Sequence, residues 1–136
     1  MIRMYRYSTD KRALILIDGR DVEIPRFRKP QEIHTLCLLN GVQGLVILEK
    51  SDIADFRLEC YASNGRSAGF EESSAVCAVA FADLVGVKAF HTQDYSFEYE
   101  GQLHSAFIES HLGEAKEVLI DSHIRGTALC EGALND

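Results

Sequence analysis

The sequence has little of what marks membrane and secreted proteins. It contains no Trp and only 2 Pro in 136 residues, and no apolar run approaches the roughly 20 residues of a membrane span. The N-terminal segment MIRMYRYSTDKR lacks the continuous apolar core of a signal peptide. We therefore expect no membrane association, and we take the cytoplasm as the default location.

Positive charge is also scarce. Asp and Glu outnumber Lys and Arg by 21 to 14, which gives a net charge of −7. A nucleic-acid backbone requires clustered Lys and Arg, whereas the basic residues here alternate with acidic and aromatic ones. The composition therefore argues against nucleic acid as a partner.

Cysteine and histidine lack the spacing that metal sites need. The four cysteines form no C-x-x-C pair, which favours small buried side chains over disulfides or zinc ligands, and Cys77 is expected in the core. Among the histidines, only His34 forms an i, i+3 pair with a cysteine, Cys37. We expect no metal site, and no cofactor is implied.

The length corresponds to one domain, residues 1–136. Short apolar or alternating segments predict strands at residues 3–7, 13–17, 21–24, 45–48, 56–61, 88–91, 95–99, 103–108 and 117–120. Pro30 suits the first position of a helix that would run to about Leu39. Asn64-Gly65 predicts a type I′ hairpin turn, and the tail from residue 121 gives little signal.

A second predicted helix, from Ser74 to Val85, is apolar on every side, with Asp83 as its only charged residue. Ser73 or Ser74 is suited to cap its start, and Gly86 its end. A helix with this pattern must be surrounded by protein. A sheet that curls around one central helix meets this requirement. We therefore predict an α+β fold in which a mostly antiparallel sheet wraps this helix.

The segment before this helix carries a recognisable pattern. Asp55-Phe56 is followed by Tyr61, by a turn at residues 63–65 with the sequence S-N-G, and by Cys77. This pattern resembles the active-site segment of the diaminopimelate epimerase family, in which D-F precedes an aromatic residue, an A-D-G turn and a closing cysteine. Weaker likeness spans nearly the whole chain but only the first of the family's two domains. The resemblance implies a single diaminopimelate epimerase-like domain and cofactor-independent isomerase chemistry.

The resemblance fails at the residues that would perform the chemistry. The family's catalytic cysteine falls on Glu71, and its helix-start G-N-G, whose amides receive the substrate carboxylate, falls on residues 72–74. Two of its asparagines fall on Thr9 and Ala62. Two carboxylates at a helix start would repel the anion that the helix should attract. Such changes are typical of a degenerate or repurposed domain.

The candidate site residues lie at the same helix start. Glu71 is the candidate catalytic residue, because a carboxylate can abstract a proton next to a carbonyl. An acidic residue is also favoured in a first helical turn without any function. The candidate substrate-binding residues are Asp10, which retains an acid of the family, together with Glu72, Ser73 and Ser74.

Three interpretations stay open. The first is a domain without epimerase activity that binds a small molecule or has a regulatory role. The second is an isomerase or epimerase of a small carboxylated metabolite, with Glu71 as acid/base at a cleft between subunits. The third is the N-terminal half of a longer enzyme, although Met1 favours a natural start. An exposed half-cleft and sheet edge would also predict a homodimer, since a twofold pair covers the same patch twice.

Overall fold

The computed structural model describes residues 2–22, 24–90 and 94–134. In these residues the chain forms eight strands and two α-helices, with a 3-10 turn at Pro25–Arg28. The strands are β1 (Met4–Ser8), β2 (Ala13–Asp18), β3 (Gly44–Glu49), β4 (Phe56–Ala62), β5 (Asp94–Tyr99), β6 (Gln102–Leu112), β7 (Ala115–Ile120) and β8 (Ile124–Ala133). The helices are α1 (Pro30–Asn40) and α2 (Glu72–Leu84).

The eight strands form a closed barrel. Each strand pairs with the next in chain order, and β8 returns to pair with β1. Two neighbouring pairs are parallel, β2 with β3 and β4 with β5, and their crossover connections carry α1 and α2. The β4–β5 junction is short, because only Phe56 with Phe97 and Arg57 with Glu98 are in register there. The connection that carries α2 therefore joins the two neighbouring strands, β4 and β5, that have the fewest residues in register.

The predicted fold class, an α+β fold with a mostly antiparallel sheet curled around a central helix, is wrong. The sheet closes into a barrel, and strands hold far more of the chain than the two short helices do. The difference lies in β8, which the sequence did not predict. Only Ala128 among its 10 residues is fully buried, so its hydrophobic pattern is weak, yet it bonds to β7 and β1 and removes both sheet edges.

The burial of the apolar helix is confirmed. Every residue of α2 from Ser73 to Ala82 is buried, and Val79 and Phe81 are 0% exposed. The helix belongs to one interior cluster that includes side chains from all eight strands. Gly126 of β8 lets the wall approach the helix closely, since a Cβ there would lie 3.0 Å from a methyl of Val76.

α1 covers the outside of the barrel. Its buried residues Ile33 and Cys37 belong to a second cluster with outward-facing side chains of β2 and β3, which are Ile15, Ile17, Leu45 and Ile47. These two strands are therefore buried on both faces, which explains why they consist of continuous apolar residues. The predicted α1 is confirmed, and Gly41 ends it with a φ of 62°.

Two predicted strands, 21–24 and 88–91, are not present in the described residues. Residues 21–22 form a bend, Ile24 and residues 88–90 belong to no strand, and Glu23 and His91 lie outside the described residues. The Asn64-Gly65 turn exists, but within it only Gly65 has positive φ, 87°, so it is not the predicted type I′. Two successive positive φ angles, 51° and 80°, occur instead at Glu100 and Gly101 between β5 and β6.

Arginines hold the C-terminal end of α2. The Val85 carbonyl accepts hydrogen bonds from Arg20 Nη2 at 2.9 Å and from Arg3 Nη1 at 3.5 Å. Arg20 also donates to both carboxylate oxygens of Asp18, each at 2.9 Å. Burial raises the pKa of Asp18, but the hydrogen bonds and charge of Arg20 outweigh burial and lower the pKa below its ordinary value. As predicted, Gly86 follows the helix, with a φ of 82°.

Neither α1 nor α2, nor any other helix of the described residues, is long and apolar enough to cross a membrane. Each of the four cysteines is a free thiol, and Cys77 lies in the core as predicted. Burial raises the pKa of Cys60 to about 12 and raises that of Cys77 further. Thiols of this kind remain protonated at neutral pH and make poor nucleophiles.

Candidate functional site

Glu71 is the N-cap of α2. Its backbone is extended (φ −140°, ψ 129°), and its Oε2 accepts a hydrogen bond from the Ser74 backbone N–H at 2.8 Å. The predicted caps, Ser73 and Ser74, lie instead within the first helical turn. A glutamate is long enough to fold back onto the third helical residue, so it satisfies one of the amides that every helix start leaves unpaired.

The β1–β2 turn is attached to this helix start by two contacts. The hydroxyls of Thr9 and Ser73 are 2.9 Å apart, and Arg12 Nη1 lies 3.4 Å from Glu71 Oε1. Thr9 also accepts hydrogen bonds from the backbone N–H groups of Lys11 and Arg12 at 3.2 Å each, which orders the turn itself. The ion pair is partly exposed, and such pairs contribute at most about 1 kcal/mol.

Two pockets flank the start of α2 and divide the predicted site residues between them. We call the first the Arg12 pocket. It has a volume of about 270 Å³, and Glu71 and Ser74 line it with Arg12, Tyr61 and Phe70. We call the second the Glu109 pocket, of about 440 Å³; Asp10, Glu72 and Ser73 line it with Thr9, Glu109 and Arg125. The structure therefore places all five predicted residues at one helix start, but not in one cavity.

The Arg12 pocket has an ordered aromatic wall. Phe70 stacks on His104 with ring centroids 4.8 Å apart, and His104 stacks in turn on Phe97 at 5.0 Å. His104 Nδ1 lies 2.7 Å from Asp121 Oδ2, and the Tyr99 hydroxyl donates to the Ala68 carbonyl. These contacts fix the loop that leads into Glu71. The loop also covers part of β4 where β4 has no pairing with β5.

The Glu109 pocket contains residues that the sequence did not reveal. Glu109 occupies the irregular step of β6 between Ile108 and Ser110, and such bulges re-aim a side chain. Arg125 of β8 donates to both oxygens of Glu109 at 2.8 and 3.1 Å, and these bonds lower the pKa of Glu109. β6 and β8 reach α2 only because the barrel closes. The local signal in the sequence is that the predicted strand 103–108 ends immediately before Glu109.

Metal ligation has no support in the described residues, where no group of three or more His, Cys, Asp or Glu side chains could hold a metal ion. His34 Nδ1 contacts the Ser63 carbonyl at 2.9 Å, and Cys37 is buried beneath α1, so this pair forms no site. Ala62, which stands where the resemblance places a substrate-binding asparagine, lines the Arg12 pocket, and its side chain has no hydrogen-bonding group.

Comparison with solved structures identifies the fold. The chain superposes on a Bacillus anthracis phenazine biosynthesis protein of the PhzF family with a TM-score of 0.61 and 12% identity, covering 86% of this chain and 39% of that one. A probable proline racemase from Agrobacterium radiobacter K84 with bound carbonate superposes with a TM-score of 0.58 and 12% identity, covering 87% of this chain and 41% of that one. A methylitaconate-delta-isomerase superposes with a TM-score of 0.57 and 14% identity, covering 82% of this chain and 35% of that one.

The chain therefore shares the fold of part of each of these three proteins. The chain spans about two-fifths of the length of these proteins. No protein-family model matches the sequence, and no curated protein matches it. The likeness to known proteins is thus one of fold, and the expected membership in the diaminopimelate epimerase family is not confirmed.

Proposed function

We propose that this chain is a small-molecule-binding domain with an isomerase-type fold and no epimerase activity. The observation that carries the proposal is the position of the Glu71 carboxylate. Helix N-termini bind anions through their free amides, but the Ser74 amide of α2 is already bonded to Glu71 Oε2. The chain thus places its own carboxylate where an anionic substrate would dock at the helix start.

The same contacts make Glu71 a poor acid/base group. Oε2 is held by the cap, and Oε1 faces Arg12. A general base must approach the substrate proton within hydrogen-bond reach, which Glu71 achieves only by leaving both partners. Losing an N-cap costs about 1 kcal/mol. The partner groups of Glu71 therefore favour a structural role over proton transfer.

An isomerase or epimerase of a small carboxylated metabolite is the second candidate. Glu71 lines a pocket rather than open surface, and the solved neighbours include a probable proline racemase and a methylitaconate-delta-isomerase. In this alternative a substrate carboxylate would pair with Arg12 and free Glu71 for acid/base chemistry at a cleft shared by two subunits.

Isotope exchange separates the two candidates. The protein is incubated in heavy water with diaminopimelate, and separately with proline, and deuterium at the α-carbon is followed by NMR. We expect no exchange above a protein-free control. Exchange at an enzyme-like rate of about 1 per second or more would refute the proposal. If Glu71→Gln then abolished the exchange and Glu32→Gln did not, the isomerase would replace it.

We further propose a cytoplasmic homodimer. The expected free sheet edge is not there, because the barrel closes, so the support for a dimer now comes from apolar surface. Leu38 and Leu39 are adjacent on α1 and are 71% and 78% exposed. Pairing of two copies through such a patch would remove it from water.

A further inference from the structure

The Arg12 pocket combines one weakly held cation with an apolar wall. Arg20 and Arg125 are each bound by two short hydrogen bonds to a single carboxylate, that of Asp18 and that of Glu109. Arg12 has instead one carboxylate contact, of 3.4 Å with Glu71 Oε1 between side chains that are 34% and 26% exposed, and its Nη2 donates to the Gln43 carbonyl at 3.3 Å. A partly exposed ion pair of this length is weak. The Arg12 guanidinium is therefore available to a better carboxylate partner.

The shape of the pocket indicates the class of that partner. Its volume of about 270 Å³ accommodates a molecule of roughly ring size, and the aromatic residues Tyr61 and Phe70 are among those that line it. Phe70 is held by its stack on His104, and the Tyr61 hydroxyl donates to Glu59. Both rings are thus ordered before any ligand arrives. Small-molecule sites typically have apolar walls and a few polar groups that fix orientation.

From this arrangement we propose that the Arg12 pocket binds a small aromatic carboxylate by exchange with Glu71, an inference that rests on the proposed binding function. The ligand carboxylate pairs with the Arg12 guanidinium in a two-point contact, which is stronger than the existing one. Its ring packs against Tyr61 and Phe70. Glu71 loses Arg12 but keeps its hydrogen bond to the Ser74 amide, so α2 remains capped.

In this mechanism Glu71 is a competitor of the ligand. Its negative charge occupies Arg12 in the free protein and repels the ligand carboxylate in the complex. Glu71→Gln removes both effects, and the glutamine side-chain oxygen can still accept from the Ser74 amide. Removing an acidic residue from the site should therefore strengthen binding. A catalytic or ligand-contacting role for Glu71 predicts the opposite result.

Calorimetric titration with benzoate, and with neutral benzamide of the same shape, tests the proposal. We expect benzoate to bind the wild-type chain at least about tenfold more tightly than benzamide does. Arg12→Gln should abolish the preference for benzoate, and Arg12→Lys should retain part of it. Glu71→Gln should bind benzoate about fivefold more tightly. Glu32→Gln, the same change in the first turn of α1, should bind it as the wild type does. Circular dichroism verifies that each variant is folded.

Equal binding of benzoate and benzamide, an unchanged preference in Arg12→Gln, or weaker benzoate binding in Glu71→Gln would each overturn the proposal. So would the absence of benzoate binding to every variant at millimolar concentration. None of these binding results tests the proposed lack of epimerase activity, because isotope exchange measures that activity separately. Exchange at the substrate α-carbon would refute the proposed function whatever benzoate does.

Discussion

Val79 gives the most direct test of how α2 is held in the barrel. Its side chain is 0% exposed in the interior cluster, so Val79→Ala removes two methyl groups from a fully buried site. Burial of one carbon group of this size contributes about 0.8 kcal/mol to the free energy of unfolding. The cavity that the substitution leaves behind lowers this free energy further. We expect the free energy of unfolding to fall by about 2 to 3 kcal/mol.

Urea unfolding followed by circular dichroism measures this change, and the dependence on urea should stay the same in both proteins. Leu112→Ala is the control, since Leu112 is also apolar but is 61% exposed at the end of β6 and lies outside the proposed dimer patch. That variant should change the free energy of unfolding by less than about 0.5 kcal/mol. If Val79→Ala cost no more than Leu112→Ala, α2 would not lie in the barrel interior.

Three further predictions concern charge, backbone and assembly. The pKa of Asp18 is lower in the folded than in the unfolded chain, so its contribution is present above about pH 4 and is lost as pH falls. Asp18→Asn should therefore reduce the free energy of unfolding by about 2 kcal/mol at pH 7 and by less at pH 3. Urea titrations of both proteins at the two pH values measure this, and the same loss of stability at pH 3 as at pH 7 would contradict it. Gly65 has a φ of 87°, and a Cβ there would lie 2.2 Å from the Pro30 carbonyl oxygen. Gly65→Ala should therefore lower the melting temperature clearly more than Gly113→Ala, because Gly113 also has a positive φ but no atom lies within 4 Å of the position of its added Cβ. Light scattering at micromolar concentration should give twice the mass of one 15.2 kDa chain, and a monomer mass would refute the dimer.

Local signals were sufficient for most elements of this fold. Continuous apolar residues mark β2 and β3 because α1 covers one face of these strands and the barrel interior covers the other. The absence of a polar face correctly indicated that α2 is buried. A pattern typical of a strand was misleading where a proline follows, because residues 21–22 form a bend and a 3-10 turn begins at Pro25.

The candidate site was only partly predictable. The five residues named from the sequence do gather at the start of α2, because four of them are consecutive and the β1–β2 turn brings Asp10 there. Their partners were not predictable. Arg12 meets Glu71 across 59 positions of sequence, and Glu109 and Arg125 reach the second pocket from β6 and β8. No periodicity encodes contacts between such distant positions.

What the sequence by itself determined is the set of elements whose residues must be buried, since the period of apolar side chains is a property of neighbouring positions. The tertiary structure alone decided the closure of the barrel, which depends on backbone hydrogen bonds between β1 and β8 at opposite ends of the chain. It also decided the partners of Glu71. An acidic residue at a helix start can cap the helix or pair with a cation, and the folded chain places the Ser74 amide beside one of its oxygens and Arg12 beside the other.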